Sequence, residues 1–107
     1  MWVTQTFAQS WRNEATVDGR VVRMSPQVSR LLSFMLIVGP RFSNAWEMSE
    51  YIWDHPDDTP LAMETVITVL LCSLRKFGVP VENKFGEGWR IPEYARTPDQ
   101  YEFALAA

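Results

Sequence analysis

From Leu74 to Ile91 the chain leaves an apolar helical stretch through a basic pair, Arg75-Lys76. It then enters Asn83-Lys84-Phe85-Gly86-Glu87-Gly88-Trp89-Arg90-Ile91. Two glycines one residue apart, between residues able to pair as strands, suit a tight reversal with φ > 0. The spacing predicts a hairpin over Val81–Ile91 whose returning strand packs Trp89 on the helix before it. Few arrangements satisfy a helix that hands on directly to a hairpin and takes an aromatic back.

The chain has 107 residues, the length of one domain, and 47% of them are apolar, enough for a core. No run reaches the roughly 18 apolar residues of a membrane span. The longest, Leu31–Val38 and Val66–Cys72, have the length of interior helices. The opening residues carry no basic segment, so no signal peptide is expected. The single cysteine excludes an internal disulfide and fits a cytoplasmic setting. The net charge of −3 counts against avid non-specific binding to DNA. No catalytic constellation stands out. Cys72 falls inside a helix and not at an activating N-terminus. His55 beside Asp54, Asp57 and Asp58 reads as a solvated turn and not a metal site. There is no phosphate-binding glycine loop. The expectation is a protein that is not an enzyme, without cofactor or metal.

The first 23 residues read as strands. Trp2–Phe7 is β-prone, and Thr16–Val22 is a hairpin with Asp18-Gly19 at its turn. Ser25 suits a helix N-cap and Pro26 the first helical position. Apolar residues at 28, 31, 32, 35 and 36 give that helix one face, and Gly39-Pro40 ends it. A second helix is expected from Ser43 or Asn44 to Trp53. After the Asp54–Pro60 turn, Thr59 is expected to cap a third helix with Pro60 at its first position. Met63, Ile67, Leu71 and Leu74 form its core stripe. Residues 1–24 thus read as a sheet, 25–78 as a three-helix core and 79–92 as the hairpin. Residues 93–107 read as a tail, with Tyr94, Tyr101, Phe103 and a short helix from about Pro98.

This order resembles the OmpR-type winged-helix domain, the effector half of many bacterial response regulators. Asp18-Gly19 through Met24-Ser25-Pro26 is similar to that family's entry to its first helix. Leu31-Leu32 and Tyr51-Ile52-Trp53 fit its next two landmarks. Leu71-Cys72-Ser73-Leu74-Arg75-Lys76 is similar to its recognition-helix signature, and Gly86-Glu87-Gly88-Trp89-Arg90 to its wing. The match runs from about Val17 to Ile91. It implies an α+β winged helix-turn-helix: an N-terminal antiparallel sheet, three helices and a C-terminal hairpin wing. The departures are specific. Leu70, Cys72 and Ser73 stand where the family often has His or Arg. Ala45 stands where it often has a basic residue. Phe85 replaces an arginine able to enter a minor groove. The chain leaves no room for the family's phospho-receiver domain, so control by phosphorylation is not implied.

The resemblance implies a small stand-alone transcriptional regulator, bacterial or phage, that binds duplex DNA through the third helix and wing. Its expected outward face holds Ala62, Thr65, Val66, Val69, Leu70 and Ser73. Base edges are read by hydrogen-bonding side chains, with apolar groups suited to the thymine methyl. Arg75, Lys76, Lys84 and Arg90 are the expected phosphate contacts. The alternative is an interaction module in which the apolar face around Leu70 meets another protein or a second copy of the chain. The turn with Asp54, Asp57 and Asp58 lies where the family's loop meets RNA polymerase, which makes it a candidate partner surface. No membrane contact is expected.

Overall fold

A computed structural model describes residues 2–96; the helix expected from about Pro98, with Tyr101 and Phe103, lies outside the described residues. Three short antiparallel strands open the fold, β1 (Val3–Thr4), β2 (Glu14–Val17) and β3 (Arg20–Arg23), in that spatial order. Asp18 (φ 51°) and Gly19 (φ 79°) turn β2 into β3, with Val17 opposite Arg20. Two successive positive φ angles match the twist of the flanking strands, which is why Asp-Gly works here. The turn also fastens β1: the Trp2 backbone N–H donates to the Asp18 carboxylate at 3.0 Å.

The expected extended run through Phe7 stops at Thr4. Phe7–Trp11 is a helix, α1, so the described residues hold four α-helices and not three. The local reason is a capping box. The Gln9 backbone N–H donates to Thr6 Oγ1 at 3.1 Å, and the Thr6 N–H donates to Gln9 Oε1 at 3.0 Å. Two N–H groups that would be orphaned at a helix start are thereby satisfied together. That gain outweighs the β propensity of the segment.

α2 (Pro26–Ile37) begins as the sequence predicts. Ser25 accepts from the Val28 N–H, and Pro26 occupies the first turn. Leu31 to Leu36 are buried without a break, so this helix is interior rather than amphipathic. Its polar residues Ser29 and Ser33 are also buried. They are matched by Gln5, which lies just beyond β1. Gln5 Nε2 donates to Ser29 Oγ and to the Glu14 carbonyl, each at 3.0 Å, while the Ser33 hydroxyl donates to Gln5 Oε1. The network fixes the sheet against α2, because an unpaired buried polar group costs about 1–3 kcal/mol.

α3 (Ala45–Ile52) carries a second capping box, between Asn44 and Glu47. The Asn44 backbone N–H holds the Glu47 carboxyl below its ordinary pKa; partial burial opposes that shift, and Arg41 at 3.0 Å adds to it. α4 runs Met63–Lys76. Its start corrects the expected Thr59 cap. Thr59 instead closes the preceding 3-10 turn, Pro56–Asp58, by donating its N–H to the Pro56 carbonyl, and Leu61-Ala62 form a further turn. A threonine whose backbone already ends one turn is not placed to cap the next. Helices α2, α3 and α4 pack on one another around Leu32, Met35, Met48, Ile52, Ile67, Leu71 and Leu74.

The expected hairpin is present as β4 (Glu82–Lys84) and β5 (Gly88–Arg90). β5 also pairs with Ser43, just before α3: the Ser43 N–H donates to the Trp89 carbonyl at 2.8 Å and the Trp89 N–H to the Ser43 carbonyl at 2.9 Å. The chain then turns back over the helices. Ala95 is buried, and the Arg96 guanidinium donates to the Met35 carbonyl (3.0 Å) and to the Leu36 carbonyl. Among the described residues, no helix is long and apolar enough to cross a membrane.

The two wing glycines should behave differently on substitution. Both have positive φ, 82° at Gly86 and 114° at Gly88. A Cβ at Gly86 meets nothing, but one at Gly88 falls 2.1 Å from the Ser43 carbonyl oxygen. Gly86→Ala is expected to cost about 1 kcal/mol of strain. Gly88→Ala should cost about 3 kcal/mol, since backbone must separate from backbone. Urea unfolding of the two variants measures the difference.

Candidate nucleic-acid interface

α4 carries two faces set by its period. Ile67, Leu70, Leu71 and Leu74 recur at i, i+3, i+4 and i+7 and are buried, which leaves the opposite side to solvent. That side presents Thr65, Thr68, Val69, Cys72 and Lys76, all exposed. The expected outward face is therefore corrected at Leu70. It is only 7% exposed, inside the core, whereas its neighbour Val69 is 58% exposed. Val66 and Ser73 are half-buried at the border between the faces. The signal was present in the sequence: Leu70 completes the core spacing of the stripe already assigned to this helix. Cys72, which the resemblance puts at an exposed recognition-helix position, is exposed, and Thr68 is a further outward position.

The outer face is weakly polar. Thr68 Oγ1 donates to the Glu64 carbonyl at 2.9 Å and Ser73 Oγ to the Val69 carbonyl at 3.1 Å, one helical turn back. Both hydroxyl hydrogens are thus spent within the helix, leaving oxygen lone pairs as acceptors. Thr65 is exposed beside them. Val69 offers methyl groups of the kind that suit a thymine methyl.

The four expected phosphate-contacting cations are held differently. Arg75 Nη2 donates to the Val81 carbonyl at 3.1 Å and so braces the base of the wing. Lys84 pairs with Glu87 at 2.7 Å across the hairpin tip. Arg90 pairs with Glu82 at 2.9 Å, and its guanidinium lies 4.5 Å from the centre of the Phe42 ring. Lys84 Nζ approaches the same ring at 5.8 Å. Lys84 and Arg90 therefore gather on Phe42 at the wing. Lys76 is exposed at the end of α4, and no ion pair is recorded for it among the described residues. The exposed pair Lys84–Glu87 is worth about 0–1 kcal/mol, so it opens readily toward a stronger anion.

The acidic turn lies between the end of α3 and the start of α4. Asp54 pairs with Arg30 at 3.0 Å, and Asp57 lies 3.5 Å from His55 Nδ1. His55 Nδ1 also accepts from the Asp57 N–H at 3.3 Å, which accounts for this histidine as part of the turn. No group of three or more candidate metal-ligating residues occurs among the described residues. A cleft of about 500 Å³ opens beside this turn, lined by Trp46, Trp53, Pro56, Pro60, Leu61 and Met63 with Glu50 and Asp54 at its edge. Trp46 and Leu61 are exposed.

No protein-family model and no curated protein matches the chain. Among solved structures, the DNA-binding domain of Escherichia coli CadC superposes with a TM-score of 0.64 at 18% sequence identity. The match covers 77% of this chain and 80% of that one. At that identity the likeness is one of fold: an α+β winged helix with an N-terminal antiparallel sheet, four helices and a C-terminal hairpin.

Neighbouring residues on α4 should respond oppositely to the same charge. Leu70→Glu buries an unpaired carboxylate and removes core contacts, with an expected loss of about 4 kcal/mol or more. Val69→Glu stays in water and should cost under about 1 kcal/mol. Thermal unfolding of both variants measures this directly.

Proposed function

We propose that this domain binds duplex DNA as a transcriptional regulator, with the outer face of α4 in a major groove and the wing beside it. One observation carries the reading: a helix with a solvent-open face is followed by a braced hairpin, on the fold of a DNA-binding domain. Thr65, Val69 and the rim residues Val66 and Ser73 meet base edges, with Thr68 and Cys72 beside them. Leu70 supports this face from below. Lys76, Lys84, Arg75 and Arg90 meet phosphates. With Lys76 assigned to phosphate, the remaining helix face has no Arg, Asn or Gln for bidentate base contacts, so recognition leans on the backbone, on apolar contacts and on duplex shape. A cytoplasmic setting goes with this role.

A second reading has a specific observation in its favour. The cleft beside Asp54, Asp57 and Asp58 is apolar with an acidic edge, which suits another protein's basic and apolar segment, RNA polymerase included. The two surfaces meet on α4 only at its first residue, Met63, which lines the cleft, and one chain can use both. Self-association is a separate question, answered by the solution mass.

A salt titration of binding to mixed-sequence duplex tests the first reading. With at most four cations on phosphates, the slope of log K against log salt should be no steeper than about −3.6. Lys76→Ala should flatten that slope by about 1 and weaken all sequences alike. Lys76→Ala with Lys84→Ala should flatten it by about 2. An unchanged slope in the double variant removes the wing and the end of α4 from the interface.

A further inference from the structure

An isolated apolar residue on a protein surface needs no special explanation; the placing of Phe85 is different. It is 101% exposed at the tip of the wing, next to Gly86 with φ 82°. The arm that carries it is held from several sides. β5 is hydrogen-bonded to Ser43 in both directions, Arg90 is pinned between Glu82 and the Phe42 ring, and Lys84 and Glu87 clasp across the tip. The aromatic ring therefore projects from an arm anchored to the body by the two Ser43–Trp89 backbone bonds, with Lys84 immediately before it.

We propose that Phe85 is an apolar wedge that enters the minor groove and partly unstacks one base step, kinking the duplex. This rests on the DNA-binding reading and adds a mode of recognition to it. Three considerations converge. The described body measures 36 × 29 × 26 Å, about the length of one duplex turn of 34–36 Å. A helix seated in the major groove thus leaves the adjoining minor groove within the span of the same body. Phenylalanine cannot read the hydrogen-bonding edges of that groove, but inserted apolar side chains unstack base steps there. The outer face of α4 is poor in base-reading groups, so shape and deformability must supply discrimination. Pyrimidine–purine steps unstack most easily, so the wedge confers a preference for TA or CA steps.

The test uses the full chain and a short duplex with a central TA step, a donor dye on one end and an acceptor on the other, in low salt. Binding is expected to raise energy transfer, as a bend of about 20–90° requires. Phe85→Ala at saturating concentration should return the transfer to that of free duplex, with affinity lower by at least about five-fold. Phe85→Leu should keep the bend, since the wedge needs bulk and apolarity. The exposed position means that all three proteins should share one melting curve. Bound duplex that stays straight, or a Phe85→Ala complex bent like the parent, overturns the wedge and leaves DNA binding standing. No binding of the parent protein at low salt overturns both.

Discussion

Helix α2 has no solvent face from Leu31 to Leu36, and the rest of the molecule is arranged by the need to cover it. Each fully buried Leu, Phe or Met contributes about 1.5–3 kcal/mol only when something apolar lies against it. α3 and α4 pack against it, α1 touches it, and Val3, Ala15 and Val17 of the sheet share its core. The serines on α2 make the second demand. Ser29 and Ser33 are buried hydroxyls that must be paired, and Gln5 is the side chain that reaches them. At the end of the same helix, Arg96 satisfies the Met35 and Leu36 carbonyls. One buried helix thus sets where the sheet sits, where α4 lies and which side of α4 remains open.

The chemistry of the open surface follows from that arrangement. α4 spends its large apolar residues on the core, so its outer face is left with short side chains, one lysine and self-bonded hydroxyls. The wing spends its cations on its own rigidity: Arg75 on the Val81 carbonyl, Lys84 on Glu87, Arg90 on Glu82 and Phe42. These pairs are exposed or half-exposed and individually weak, so phosphate competes for them, but each contact must first displace an internal partner. With a net charge of −3, the surface has little positive field to offer, which is why the proposed DNA binding leans on shape.

Several elements were legible from local chemistry alone. Asp18-Gly19 marks its turn, Ser25-Pro26 its helix start, Gly39-Pro40 its stop, and Gly86-Glu87-Gly88 its hairpin, because each depends on backbone conformations that few residues tolerate. α1 is legible only in its capping box, Thr6 with Gln9, because the β propensity of the segment points the other way. The start of α4 was misplaced because Thr59-Pro60 suits either the end of one turn or the beginning of the next helix, and only the path of the chain chooses. For Leu70 the spacing with Ile67, Leu71 and Leu74 outranks the family resemblance: it lies with the core.

The sequence by itself determined the order of elements, the turn chemistry and the absence of a strong positive field, since these depend on neighbours in the chain and on composition. It did not determine which cations are already paired, or that Ser43 and Trp89 join the wing to the body. Those depend on residues far apart in the chain meeting in space. Arg90 lies against Phe42, Gln5 against Ser29 and Arg96 against Met35 only after the chain has packed around α2. Tertiary packing, by choosing which groups are buried against one another, decided what the surface has left to offer a partner.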